Sequence, residues 1–325
     1  MKAVLCKQWG DPSTLVVEEV PGKTPGAGEV RIRVRACGIN FLDTLIIQGK
    51  YQVKPPLPFS PGVEIAGEVM ECGEGVKHVR PGDRVMAILD WGGCAEEVTV
   101  RAQGVMPLPD NMDFVTAASF PIAYGTSHVA LTHRAKLQAG ETLLVLGAAG
   151  GVGLTAVEIG RLLGATVIAA ASTAEKLELA RQYGAEQTIN YSSENLRDRM
   201  KEITGGKGAN VVYDPVGGEW FEQALRSTAW EGRLLVIGFA SGTIPQLPVN
   251  LTLVKNCSVV GVYWGAYMAN NPQVVMDSLK TLLGWYGEGR LRPHVSQTFP
   301  LEQTGEAIWA LARRQTTGKV VVEMN

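Results

Sequence analysis

Gly147, Gly150 and Gly153 carry the most specific chemistry in the sequence, at G-x-x-G-x-x-G spacing inside LLVLGAAGGVGLTAVEIGRLLGATVIAAAS, Leu143 to Ser172. Apolar Leu143 to Leu146 precede them, and Val152, Ala156, Ile159 and Leu163 follow at roughly helical spacing. Strand, glycine turn, helix and second strand in this order form a dinucleotide-binding unit. Glycine lets the backbone turn sharply and approach a pyrophosphate, and the helix opens with free N–H groups aimed at the phosphates. The end of the second strand selects the dinucleotide, because an NAD site places Asp or Glu there for the ribose 2′-hydroxyl. Ala171 and Ser172 stand there instead, and Lys176 can supply a cation to a 2′-phosphate. The expected cofactor is NADPH.

These residues need elements to hold them. Strand candidates after residue 122 are Leu143–Leu146, Thr166–Ala171, Val211–Asp214, Arg233–Gly238 and Ser258–Gly261, alternating with helical patterns. That alternation predicts a parallel sheet. Residues 1–122 have a different texture, with short alternating runs (Val30–Ile32–Val34, Ile65–Gly67–Val69, Val85–Ala87–Leu89) between Gly and Pro turns, which predicts a mostly β domain. The tail holds an amphipathic helix around Val274 to Tyr286, a strand near Val295 to Phe299, a helix Leu301 to Arg313 and a strand Lys319 to Glu323. Residues 266–325 are expected to return to the first domain, leaving 123–265 as the dinucleotide domain.

Composition frames these readings. The 325 residues, 46% apolar and 19% charged with a net charge of −2, describe an ordinary globular chain of about two domains. Near-neutral charge without a Lys/Arg run gives no footprint for nucleic acid. MKAVLCKQWGDPS contains no apolar run long enough for a signal peptide or a span, so no membrane partner and a cytoplasmic location are expected. Cys6, Cys37, Cys72, Cys94 and Cys257 are odd in number and never in C-x-x-C spacing, as for reduced thiols. His78, His128, His133 and His294 are too scattered for a metal cluster and read as surface or packing residues.

GINFLD (38–43), PGVEIAGEV (61–69), PGDRVMA (81–87), YGTSHVAL (124–131) and GAAGGVG (147–153), with AWEGRLLVIGFASG, KNCSVVGVYWG and TGKVVV further on, give a resemblance over essentially the whole chain. The chain resembles the zinc-independent quinone oxidoreductase branch of the medium-chain dehydrogenase/reductase superfamily. The resemblance implies an α/β fold, a GroES-like mostly β catalytic domain around a Rossmann doubly wound parallel-sheet domain, with the active site in the cleft between them. Where the zinc alcohol dehydrogenases of that superfamily carry a cysteine and a histidine, this chain has Asn40 and Val63; Glu64 remains but cannot hold zinc alone, and the four-cysteine lobe is missing.

Without that Lewis acid, alcohol oxidation is disfavoured, and two acceptors of an NADPH hydride remain. A quinone spreads the incoming charge over two carbonyls; an α,β-unsaturated carbonyl or enoyl thioester needs a donor at oxygen and a proton at carbon. A third reading, a non-catalytic NADPH-binding crystallin-like protein, stays open. By resemblance, Asn40 hydrogen-bonds the acceptor carbonyl or orients the nicotinamide ribose, and Tyr51 sits where related enoyl reductases hold a proton donor. The resemblance also places Thr126, Gly150, Gly151, Val152, Ser172, Lys176, Tyr191, Val216, Phe239, Tyr263, Trp264, Gly265 and Lys319 at the cofactor, and the strand CSVVGVYWG at a homodimer edge.

Overall fold

Alternation of apolar side chains decides the first sheet. Glu29–Ile39 buries Val30, Ile32 and Val34 on one face, and it pairs antiparallel with Glu64–Cys72, Glu97–Arg101 and the final strand Lys319–Glu323. The seven-stranded sheet runs Val295–Pro300, Lys319–Glu323, Glu29–Ile39, Glu64–Cys72, Arg84–Ile88, Val105–Pro107, with Glu97–Arg101 attached to the third of these. Ile32, Ile39, Ile46, Ile47, Ile65 and Val85 fill its core. The structure, a computed structural model, describes residues 1–324.

Met1–Ile122 and Pro293–Asn325 form one unit and Ala123–Arg292 a second. The return therefore comes later than the sequence suggests. The helix Pro272–Gly287 belongs to the second unit, where it buries Val275, Ser278, Leu279 and Leu282. The strand Val295–Pro300, the helical turn Leu301–Gln303, the helix Thr304–Ala312 and the strand Lys319–Glu323 go back to the first.

The second unit holds a six-stranded sheet of parallel pairs in the order Gln187–Asn190, Thr166–Ala171, Thr142–Leu146, Ala209–Asp214, Thr228–Val236, Ser258–Gly261. Numbered along the chain this is 3-2-1-4-5-6, the doubly wound order whose switch point lies between Thr142–Leu146 and Ala209–Asp214. Leu143 to Leu146 and Val167 to Ala171 are buried throughout, as strands covered on both faces must be. The sequence reading leaves out one strand and starts another late. Polar Gln187–Asn190 is an outer strand with one fully buried side chain, Ile189, and the strand expected at Arg233–Gly238 runs Thr228–Val236. Among the described residues no helix is long and apolar enough to cross a membrane.

A buried histidine pins the helix Pro272–Gly287 to the helix Pro121–His128. His128 Nδ1 lies 2.9 Å from Ser278 Oγ, and its ring meets Trp285 edge-on at 5.4 Å between centroids. Burial holds its imidazole down to about 4. The unfolded imidazole takes its proton near 6.5, so this contribution to stability is intact above pH 6.5 and is lost as the pH falls towards 4, to the extent of about 3 kcal/mol. The thermal midpoint of the wild type should fall across that window more steeply than that of His128→Gln, which keeps a neutral partner for Ser278. Equal acid limbs for the two proteins would refute the assignment.

Candidate active site

The glycine turn follows from a close approach. A Cβ on Gly153 would lie 2.1 Å from the Gly147 carbonyl oxygen, so the helix Gly151–Leu162 packs against its own turn only because position 153 has no side chain. Gly147 is left-handed, with φ +57°. Gly150 caps the helix without a side-chain hydrogen bond, which leaves the opening N–H groups to a ligand. Thr126 lies on Pro121–His128, whose next residue lashes that helix to the dinucleotide helix: Ser127 Oγ donates to Val152 O at 2.9 Å and lies within hydrogen-bond distance of Thr155 Oγ1 and Tyr213 OH.

At the switch point, Val216 Cγ2 lies 3.0 Å from where a Gly147 Cβ would be, and the Phe239 ring lies 2.9 Å from the corresponding point on Gly217. Asp214 fixes this turn by accepting from Val216 N and Gly217 N, both at 2.8 Å. Ser172 directly follows the strand Thr166–Ala171. Thr173 then caps the helix Ala174–Gln182 by accepting from Lys176 N, and Ser172 and Lys176 are both partly buried. Tyr191 N donates to Ala171 O at 3.2 Å, so Tyr191 and Ser172 flank Ala171, and the Tyr191 ring stacks on Trp220 at 4.6 Å. Trp264 is buried against Gly125 with its indole Nε1–H unpartnered, while Tyr263 and Gly265 on either side are exposed. The structure thus brings Gly147, Gly150, Gly151, Val152, Val216 and Phe239 to one sheet end, with Ser172, Lys176 and Tyr191 at the next strands.

In the first unit, Asn40 precedes the short helix Phe41–Ile46 and is nine-tenths buried. Lys319, expected at the cofactor, has its ammonium engaged within this unit. Its ammonium donates to Ile39 O (2.9 Å), Asn40 Oδ1 (2.6 Å) and Glu64 Oε1 (2.7 Å), three acceptors for three N–H bonds. Glu64, fully buried, also accepts from Asn40 Nδ2 at 2.8 Å through Oε1 and from Ile122 N at 2.9 Å through Oε2. Asp43 accepts from Asn40 N at 2.8 Å and from Gly62 N at 3.0 Å; burial pushes its carboxyl up to about 6, against the pull of these two N–H groups. Gly38 permits the cluster, since a Cβ there would meet Ala118 O at 2.1 Å and Glu64 Oε1 at 2.7 Å.

Tyr51 is partly buried and packs on the core of the same unit. Buried Cys37 and Cys94 lie with sulfurs 3.8 Å apart. Among the described residues no three His, Cys, Asp or Glu side chains form a group that could hold a metal. Sequence reasoning missed Asp43 and the pairing of Glu64 with Lys319. Asp43 had a signal, a carboxylate three residues after a cap in GINFLD; the ion pair, across 255 positions, had none.

Residues 26–110 match the alcohol dehydrogenase GroES-like domain, and residues 151–281 match the zinc-binding dehydrogenase domain. A quinone oxidoreductase-like protein 2 homolog of Nematostella vectensis is 45% identical over 99% of this chain and 88% of its own length. The quinone oxidoreductase-like protein 2 of Bos taurus is 44% identical over 99% and 92%. Among solved structures, Escherichia coli quinone oxidoreductase complexed with NADPH superposes with a TM-score of 0.92 at 32% identity, over 99% of this chain and 100% of that one. A GroES-like β unit and a six-stranded Rossmann unit, joined by this full-length similarity, place the chain in the medium-chain dehydrogenase/reductase superfamily as a homologue of quinone oxidoreductase-like protein 2.

Proposed function

We propose that this protein is a metal-independent, NADPH-dependent reductase whose acceptor is a quinone. The observation that carries the reading is the Lys319 ammonium on Glu64: both carboxylate oxygens are already engaged, and a divalent cation at Glu64 would have to displace a buried ammonium. A zinc ion therefore does not fit the residues present, although the matching dehydrogenase domain is named for one. A quinone is the acceptor that needs least from a Lewis acid, because its two carbonyls share the arriving charge. In this reading Asn40 takes the place of a metal ligand, offering a neutral amide to the acceptor oxygen.

The dinucleotide fits its cradle. The helix-opening N–H groups at Gly151, Val152 and Gly153 suit a pyrophosphate, and the unpartnered Trp264 indole N–H is a donor suited to a polar ligand group. Bound NADPH supplies the hydride. Ser172, Lys176 and Tyr191, with no carboxylate at the strand end, favour the 2′-phosphate, and the E. coli relative is described as complexed with NADPH. Lys176→Ala should weaken NADPH binding about tenfold or more while leaving NADH unchanged, as for loss of one charge-assisted hydrogen bond. Equal losses for both cofactors, followed by tryptophan fluorescence, would remove Lys176 from the 2′-phosphate site.

The opposite edge of the second unit's sheet supports a homodimer. Ser258–Gly261 is the outer strand of its sheet, and the neighbouring helix Val249–Lys255 leaves Val249, Leu253 and Val254 at 67%, 80% and 65% exposure. The open outer edge of a strand beside an apolar face suits a second copy of the chain. Light scattering should give twice the chain mass; a monomer at micromolar concentration would sink the proposal.

The direct test is NADPH consumption by chelator-treated protein with a quinone and, in parallel, with an enone or enoyl thioester. Quinone turnover that survives chelation is the expected result, and Tyr51→Phe should then change the rate little. Turnover confined to the unsaturated carbonyl, lost in Tyr51→Phe, would replace this reading with an enoyl reductase using Tyr51 as proton donor. NADPH binding without turnover of either acceptor would point to the crystallin-like role.

A further inference from the structure

Charge, not packing, decides which way the Asn40 amide faces. The Lys319 ammonium can only donate, so the amide atom 2.6 Å from it must be Oδ1; the Glu64 carboxylate can only accept, so the atom 2.8 Å from it must be Nδ2. Rotating the amide by half a turn would set N–H against ammonium and oxygen against carboxylate. One Nδ2 proton is therefore committed to Glu64. The other has only the Gly38 carbonyl at 3.4 Å, at the long limit of a hydrogen bond. Around this amide the backbone is equally fixed, with Asn40 N on Asp43, Ile39 O on Lys319 and Gly62 N on Asp43.

We propose that Glu64 and Lys319 are positioning residues for the reductase reaction: they pin the hand of the Asn40 amide and hold its weakly engaged N–H ready for the acceptor oxygen that gains charge as hydride arrives. This rests on the reductase reading and goes beyond it by giving the buried pair a role. Neither side chain touches a reacting atom; each acts through Asn40. Stability alone does not call for the pair, because a buried ion pair contributes little that well-packed apolar side chains of similar volume would not.

The test uses whichever acceptor the wild-type protein reduces and the double variant E64Q/K319Q, which removes both charges together and leaves neither uncompensated. Amides can hydrogen-bond Asn40 in either orientation, so the hand is no longer imposed. The expected result is a kcat lower by about tenfold or more, with the NADPH dissociation constant and the acceptor KM within about twofold of wild type and a cooperative melt retained. A kcat within about twofold of wild type would overturn the proposal. If the double variant does not fold, the wild type decides. In protein labelled with nitrogen-15 at asparagine, one Asn40 side-chain proton should exchange slowly, and only the other should shift when tetramethyl-1,4-benzoquinone is added with NADP⁺. Two fast-exchanging protons, or no response to the quinone, would overturn the proposal. A wild-type protein that reduces no acceptor refutes the reductase reading itself and this inference with it, whereas an active wild type matched by the double variant refutes positioning alone.

Discussion

A carboxylate taken wholly out of water must find partners for every lone pair it would have shown to solvent, and Glu64 organises the first unit around that requirement. Its partners come from three distant places in the chain: Asn40 after the long strand Glu29–Ile39, the backbone of Ile122, and Lys319 at the start of the last strand. The last strand owes part of its register to this. Val320 pairs with Ile39 and Val321 with Gly38, which sets Lys319 one residue beyond, where its ammonium reaches Ile39 O, Asn40 and Glu64 together. Packing alone does not define the slip of such a strand, since Val320, Val321 and Val322 are all buried; a misregistered strand would strand Glu64 without its cation.

The second unit meets the same demand differently. Glu158 is buried in the dinucleotide helix and accepts from Tyr124 OH at 2.7 Å and Arg292 N at 2.9 Å; burial raises its carboxyl, opposed by these donors. Tyr124 opens the second unit and Arg292 closes it, so one carboxylate fastens both ends of the unit to the helix that carries the glycine turn. Hydroxyls complete the arrangement. Ser127, Thr155 and Tyr213 join Pro121–His128 to the helix Gly151–Leu162 and the central strand, which gives the glycine turn a rigid base.

Elements with strong local signals were legible in the sequence. Thr166–Ala171, Ser258–Gly261 and Lys319–Glu323 have the bounds that their apolar runs suggest; the first is covered on both faces and so apolar nearly throughout. The glycine turn was equally clear, since close backbone approach allows no other residue at Gly153. Gln187–Asn190 was not, because an outer strand with solvent on one side is polar except at Ile189. The start of Thr228–Val236 was hidden by Glu231, whose φ of +57° interrupts a strand that pairing then restores. The allegiance of Pro272–Gly287 could not be read either: an amphipathic stripe announces that a helix packs without naming its partner, and here His128 and Trp285 supply it.

Among the candidate site residues the line between legible and illegible is the line between local and distant partners. Spacing reveals a turn, a cap or a strand end, so the glycine turn at 147–153 and the strand end at Ala171 could be read from sequence. Asn40 could be named too, but not its surroundings, because its amide is set by groups 24 and 279 positions away. Lys319 illustrates the consequence. The resemblance alone set it at the cofactor, and in the fold its ammonium is neutralised by Glu64 and surrounded by oxygen. A cation so placed has a fixed field and no free proton, which suits holding a neighbouring dipole rather than gripping a ligand. What the cluster holds at Asn40 is an oriented neutral amide, its dipole fixed by Glu64 and Lys319 on either side.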